Sequence, residues 1–565
     1  MNSLSGRGEI MTIRPLMFFD VEVYLNLYFA VFMDEQDTIE VWAYEDDLPE
    51  YLFTDYQLVG FNSNSYDDAI LDNWGLEPSK MRHLSDLLIQ GDKNIRYRRY
   101  SFDVLRQLKN DPTVGVGCPG LKEIDFNLGN LPVQSPVPFD KPVPADKIQE
   151  VIDYCTNDVK VLRDIFNNKR TFFDSLFHLH DNYGFKLTKT SASNIDDLFQ
   201  HTHKPVVDLD SMRKALNKVL QEILIYDTIA VVSGEGGVHG AEPSCMYENV
   251  INLDVASQYP SIIINLGLLG EKTDLFKRMR DERLKIKKSD PIASGGLKIV
   301  LNTCYGVLNG DQGYFKMEHK DAGVMVCLYG QYSICSLMLE LLKHGATIIQ
   351  INTDGVMFTG LENQDLDNII QDWQLKFNMT LELDSISKVI QKDVNNYVAV
   401  FENGYVKTKG GDLGNALGRR SYKKNTSIVI EKMIYNLLLD RPIEKDIVHY
   451  DYARFLRPTE KYPTIRMGAQ YLTEGVVVLP WEVENGFEIV KVKPTGEESR
   501  FTNITYCQPY CRDFPIPWDV RAGYIRTALE KVYGRYRKDG QPYSNSNSWV
   551  KDKNKKDFYE ELLDL

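Results

Sequence analysis

At 565 residues the chain is too long for a single hydrophobic core, and its length points to three or four domains. With 43% hydrophobic and 26% charged residues, and no run that approaches the ~20 apolar residues of a membrane span, it reads as a soluble globular protein without a membrane partner. The opening "MNSLSGRGEIM" has no apolar signal core, and eight dispersed cysteines exclude a disulfide scaffold, so a reducing cytoplasm is expected. Cys507 and Cys511 have no second pair or histidine nearby and read as ordinary cysteines rather than half a zinc site. A net charge of −15 argues at first against a nucleic-acid partner. Its distribution softens that: residues 272–288 hold eight Lys/Arg against three Asp/Glu, 404–424 six against one, and 531–556 eight against two. Taken singly, each run reads more simply as a solvated face, but together they suit a groove for phosphates on an acidic body.

In chain order, residues 16–45 read as three strands, "LMFFDVEV", "LNLYFAVFM" and "TIEVWAY". "LVGFN" (58–62) predicts another strand leading into a helix at "DDAILDNW". Residues 131–145 carry five prolines and must be an irregular loop, after which "DKIQEVIDYCTNDVKVLRDIF" has helical spacing. A mixed α/β domain ending near residue 180 results. The glycines of "SGEGGVHG" (233–240) suggest a joint between modules. "ENVINLDVASQYPSIIINLGLLG" reads as a strand followed by a turn, and 273–288 and 296–308 as two helices joined by "SDPIASGG". A helix near 321–343 precedes "TIIQINTDGVMFT", a hairpin whose Asp354-Gly355 tip calls for φ > 0 at the glycine. Gly355 also suits a place where the backbone turns and nucleic acid comes close.

Asp20 and Glu22 lie two apart on one strand and share a face of an apolar sheet, where carboxylates need a cation or donors. Asp67 follows another strand, and Tyr154 and Asp158 lie at i and i+4 on a helix. Four such acids suit two divalent cations, Mg²⁺ or Mn²⁺, and metal-assisted hydrolysis of a phosphodiester. The series D-x-E, N-x-x-x-Y-D and Y-x-x-x-D resembles the three exonuclease motifs of DnaQ-like 3′–5′ proofreading exonucleases as found in family B DNA polymerases. "FDVLRQLK" and "GLKEIDFNLG" resemble neighbouring segments of that family. The resemblance implies metal ligands at Asp20, Glu22, Asp67 and Asp158, and a Tyr154 that orients the attacking water. It also implies that Asn62 and Tyr66 hold a single-stranded 3′ end, against an equal reading as turn and packing residues.

"DVASQYPSI" resembles the family's motif A, with Gln258 in place of the usual leucine; "KIVLNTCYG" resembles motif B; "NTDG" stands where motif C is usually D-T-D-S, with Asn352 for the first aspartate. The resemblance implies a metal site at Asp254, Val255 and Asp354 holding two Mg²⁺ or Mn²⁺, with Asp354 as the motif C ligand, so that activity survives Asn352. It implies nucleotide contacts from Arg283, Lys287, Lys298, Asn302 and Tyr305 or Gly306, with Arg280 a lesser candidate, and a sugar gate at Tyr259. In "NNYVAVFENGYVKTKGG", Asn395 replaces a usual lysine, and Tyr397, Lys407 and Lys409 are implied DNA contacts.

The implied fold is multidomain α/β and α+β: an RNase H-like exonuclease domain (1–182), a connecting segment (183–245), a palm (246–270 and 309–425), a fingers hairpin (271–308), and a thumb with C-terminal region (426–565). The resemblance covers roughly 14–425, and the last part, with the 531–556 stretch tracking duplex phosphates, is assigned by position. Short spacings between Asp254 and Lys298 and between Asn302 and Asp354 imply a compact, phage-type monomer in a host cytoplasm. Implied partners are primer–template DNA and dNTPs, with a processivity factor, helicase or primase left open. Two alternatives stand beside a proofreading replicase: a 3′–5′ exonuclease with a weakened polymerase module, and a non-catalytic nucleic-acid-binding scaffold.

Overall fold

A computed structural model of the chain describes residues 14–534 apart from 93, 112–113, 115–116, 201–203, 235, 362, 411–412, 414–421, 423–427, 443–448, 502–503 and 505. Most of the basic stretch 531–556 lies outside the described residues. Among the described residues helices and strands mix throughout, and the strands form three sheets.

The three strands expected at the start are β1 (Leu16–Val23), β2 (Tyr28–Asp34) and β3 (Ile39–Ala43). With β4 (Gln57–Gly60) and β5 (Phe102–Asp103) they form a sheet in the order β3-β2-β1-β4-β5. β1 takes the centre because seven of its eight residues are buried, apolar side chains filling both faces. It runs antiparallel to β2 and parallel to β4. α1 (Asp67–Asp72) follows β4; then come α2 (Leu121–Leu128), α3 (Ile148–Asn168) and α4 (Arg170–Tyr183). α3 packs on β1 and β2, which brings its polar stripe to the acidic end of β1. The proline-rich stretch before it is irregular, as its composition requires.

The second sheet has eight strands in the order β13-β12-β11-β8-β10-β9-β7-β6. They are β6 (Val232–Ser233), β7 (Val238–Ala241), β8 (Cys245–Val255), β9 (Thr347–Ile351), β10 (Gly355–Thr359), β11 (Leu381–Asp393), β12 (Asn396–Phe401) and β13 (Val406–Lys409). Three readings need correction. The glycine-rich 233–240 is not a free joint: β6 and β7 extend the sheet, and β7 pairs with β9. The turn expected after β8 is a helix, α5 (Gln258–Asn265). Ser257, at φ 52°, turns the chain out of β8, and Pro260 falls in the first helical turn, where its missing N–H leaves no bond unmade. The second arm of the basic hairpin starts early: α6 (Thr273–Ile286) is followed by α7 (Pro291–Leu308). Asp290 caps α7 by accepting from Ala293 N, with Pro291 at its first position. Gly295 and Gly296, expected in the loop, lie inside α7 where it presses on α4. A Cβ on Gly295 would come 2.6 Å from Ser175 Oγ, and one on Gly296 2.9 Å from Ser175 O.

α8 (Lys320–Lys343) is, by length and composition, apolar enough to cross a membrane, which the sequence reading did not anticipate. Its most apolar window is 78% buried inside the protein, packed against neighbouring helices and the second sheet. One hydrophobic cluster runs from β1 through α4, α7 and α8 into the second sheet, so residue 182 is not a packing boundary. A third, seven-stranded sheet lies between Arg454 and Pro509.

Candidate active sites

Two strand ends build the first site. β8 and β10 are antiparallel neighbours with Gly355 opposite Asp254, and Val255 N donates to Asp354 O at 2.7 Å. Asp254 and Asp354 line one cleft of about 360 Å³ together with Val255, Tyr259, Arg283, Lys287, Lys298 and Asn302. Asp254 Oδ2 accepts from Asn252 Nδ2 at 2.8 Å. Burial pushes the Asp254 carboxyl up, the Asn252 bond opposes this, and the nearby Asp354 raises it further. The expected reason for Gly355 is corrected: its φ is not positive, and the demand is steric, because a Cβ there would overlap Asp254 Oδ1. Asn352 serves the hairpin itself, its N–H donating to Gly355 O and its Oδ1 accepting from Thr353 N.

The cations close over this cleft. Arg283 Nη1 donates to Ser257 Oγ at 2.7 Å, while its Nε is buried without a hydrogen-bond partner. Lys287 Nζ donates to Glu382 Oε1 at 2.7 Å. Glu382, which sequence reasoning missed, stands opposite Asp254 on β11 and lines the same cleft. Lys298 and Asn302 project from successive turns of α7. Arg280 bonds to Asp281 and Ser261 and does not line the cleft. Tyr259 does line it, and its hydroxyl donates to Gly236 O in the β6–β7 turn, a contact between segments the sequence reading kept apart. Tyr305 is corrected: it does not line the cleft but stands against the Tyr259 ring, centroids 4.5 Å apart, its hydroxyl 2.9 Å from Cys327 Sγ. Gly306 is exposed on the same helix and is also absent from the cleft.

Tyr397 is also corrected, since at 3% exposure it is a core residue of the second sheet and offers DNA no ring. It supports two lysines instead. Lys409 Nζ lies 5.9 Å from the ring centroid, and Lys407 bonds with the tyrosine hydroxyl. Burial pulls the Lys407 ammonium down, but Tyr397, Asp254 and Asp354 outweigh it and raise the net value.

The second site lies at the end of β1. Asp20, Glu22 and Cys155 bring ligand atoms within 4.8 Å of one another, and Cys155 Sγ lies 3.8 Å from Asp20 Oδ2. Asp67 and Asp158 stand beyond that group but act on it electrostatically. Burial, then Asp158, push Asp20 up to about 7; burial, then Asp20, Asp158 and Asp67, push Glu22 up strongly. Burial and Asp20 raise Asp67, and burial lifts Asp158 to about 6 against the pull of Lys122. Lys122 on α2, unassigned from sequence, donates to Tyr154 OH at 2.7 Å and to Glu474 Oε2 at 2.8 Å. Burial and these acids raise the Tyr154 hydroxyl well above its ordinary value. Crowded carboxylates that burial, and then one another, push above the usual carboxylate range, with the Lys122 ammonium among them, are a donor set that a hard divalent cation would satisfy. The Cys155 thiol, a soft donor, is the exception. Asn62 is exposed at φ 62°, its backbone N–H donating to Asp103 Oδ1. Tyr66 is half-buried, its hydroxyl 2.6 Å from Ser85 Oγ.

No protein-family model matches the chain. Over 323 residues, 46% of this chain and 36% of the relative, it is 25% identical to DNA polymerase 1 of Saccharolobus solfataricus. Over 390 residues, 54% of this chain and 43% of the relative, it is 23% identical to DNA polymerase 1 of Sulfolobus acidocaldarius. The Sulfurisphaera ohwakuensis DNA polymerase 1 matches at 24% identity, with 40% of this chain and 31% of that protein covered. Over about half of its length the chain is thus similar to archaeal proteins named DNA polymerase 1. As a relative of these polymerases it spans only about a third to two fifths of the length of the curated proteins it matches. A solved family B DNA polymerase from Pyrobaculum calidifontis covers 92% of the chain, which covers 78% of it, at 13% identity and a TM-score of 0.45. These relatives are archaeal and do not bear on the phage-type expectation.

Proposed function

We propose that the chain is a template-directed DNA polymerase that adds dNMPs to a primer 3′-OH, with a separate 3′–5′ exonuclease site for proofreading. The observation that carries the reading is the meeting of Asp254 and Asp354, a hundred positions apart, at adjacent strand ends in a cleft lined by Arg283, Lys287, Lys298 and Asn302. In this reading the second sheet is the palm and α6–α7 the fingers.

Asp254 and Asp354, with Val255 beside them, would hold Mg²⁺ or Mn²⁺, which acidifies the primer hydroxyl and neutralises the leaving pyrophosphate. The unpartnered Arg283 Nε suits a triphosphate oxygen, and a planar guanidinium can grip it with two donors. Lys287 exchanges Glu382 for the nucleotide, and Lys298 and Asn302 reach it from α7. The Tyr259 ring, braced by Tyr305 and Gly236, lies where a sugar would pass. Lys407 and Lys409 contact the primer strand near the carboxylates.

At the second site Asp20, Glu22, Asp67 and Asp158 would hold the same class of ion, which supplies a hydroxide for phosphodiester hydrolysis. Tyr154, fixed by Lys122, orients the water, and Asn62 and Tyr66 receive the single-stranded 3′ end.

A singly primed template tests the reading. Wild type extends it with dNTPs and Mg²⁺; Asp354→Ala abolishes synthesis and spares degradation; Asp20→Ala does the reverse. Loss of synthesis with degradation intact in the wild type supports the exonuclease with a weakened polymerase, which Asn352 in motif C motivates. Loss of both supports a scaffold.

A further inference from the structure

Lys122 is a lysine with two partners that have no business together in sequence. Its ammonium donates to Tyr154 OH at 2.7 Å, lies 4.6 Å from that ring's centroid, and donates to Glu474 Oε2 at 2.8 Å. Glu474 belongs to the turn between Gln470–Leu472 and Val476–Leu479 of the third sheet. The turn is anchored beside the acidic site by a second bond, Gln134 Nε2 to Gly475 O at 2.7 Å. The third-sheet region also clasps α2, the helix that carries Lys122. Arg457 pairs with Glu123 at 2.7 Å, the Phe126 and Phe455 rings stack with centroids 5.7 Å apart, and Tyr450 OH donates to Phe126 O and Asn130 O.

We propose that Glu474 is a positioning residue for the second site: its carboxylate occupies the place on Lys122 that an oxygen of a substrate phosphodiester takes, and single-stranded DNA must displace it. This rests on the exonuclease reading above. A carboxylate oxygen 2.8 Å from an ammonium has the charge and reach of a phosphate oxygen. Lys122 is the cation that faces Asp20, Glu22 and Asp158, so an incoming anion has reason to seek it. Glu474 opposes that approach, adding its own negative field at Tyr154 and Asp158. The two side chains are 20% and 31% exposed, so the pair is held loosely enough to exchange. Entry of DNA into the second site is thereby coupled to the seat of the third sheet on α2.

The test uses the full chain, a single-stranded oligonucleotide, and Glu474→Gln, Glu474→Asp and Lys122→Ala. Degradation in Mg²⁺ gives KM and kcat, and fluorescence anisotropy in Ca²⁺ gives binding. The expected result is a KM and a Kd about three-fold lower for Glu474→Gln, the size an ion pair of this exposure carries, with kcat within about two-fold of wild type. Glu474→Asp restores the wild-type KM, primer extension is unchanged, and Glu474→Gln brings no gain in a Lys122→Ala background. A KM for Glu474→Gln equal to or above wild type overturns the proposal, as does an equal gain without Lys122. A wild-type chain that binds the oligonucleotide but never degrades it removes the exonuclease reading itself.

Discussion

Gly355 stands opposite Asp254 across the β8–β10 ladder, with no room between them for a methyl group. The glycine at the hairpin tip is thus a spacer for a carboxylate on another strand. Gly355→Ala should push the Asp254 side chain aside by a few tenths of an ångström or more. Primer extension is expected to fall by about two orders of magnitude, the usual consequence of a misplaced catalytic group, while degradation of single-stranded DNA stays at the wild-type rate. Equal loss of both activities, or none, would contradict this.

Arg283 is half-buried, holds Ser257 through one nitrogen and leaves Nε unpartnered. Arg283→Ala is expected to raise the KM for dNTP by about ten-fold or more, with a smaller effect on kcat, because it removes a charge-assisted contact to phosphate. Arg283→Lys should recover only part of the loss, since an ammonium cannot reproduce the two-donor grip. Steady-state kinetics with a single dNTP reads both.

Tyr259 presents its ring to the cleft and anchors its hydroxyl on Gly236. Tyr259→Ala should relax discrimination against rNTPs by about 10- to 100-fold, the range that steric fit in a pocket commands. Tyr259→Phe keeps the ring and should stay within a few-fold of wild type. Competition between dATP and ATP on a templating thymine measures the ratio.

The acids of the second site give a pH dependence with a definite sign. Burial and then Asp158 raise Asp20 to about 7 in the folded chain, and burial raises Asp158 to about 6, against the lower values of an unfolded carboxyl. Between those limits the folded state binds more protons than the unfolded state, so stability falls as pH rises. In EDTA, the Tm advantage of Asp20→Asn over wild type is therefore expected to be small at pH 5 and to grow up to pH 8. Mg²⁺ should raise the wild-type Tm more at pH 8 than at pH 5, because ionised acids are the ones a cation stabilises. Calorimetry at the two pH values decides it; a Tm gap that shrinks with pH would reverse the sign.

The sequence by itself determined the chemistry-bearing groups and most of the local frame. Alternation and apolar runs located β1, β2, β9 and β10, and helical spacing located α3 and α8, because those signals depend on neighbours a few positions away. The motif resemblance around Asp254, Lys298, Asn302 and Asp354 already implied a shared site for these residues, and all four line one cleft. Local signals failed where packing overruled them. Gly295 and Gly296 look like loop residues until α4 is laid against α7, and the stretch after Asp254 looks like a turn although Ser257 leads it into α5.

Only the tertiary structure decided the rest. That Gly355 makes room for Asp254, that Glu382 holds Lys287, that Tyr305 and Gly236 brace Tyr259, and that Glu474 meets Lys122 are relations between side chains 23 to 352 positions apart. Excluded volume and ion pairing act over a few ångströms of space, and which residues come that close is set by how the sheets and helices pack as a whole, which no local pattern along the chain encodes.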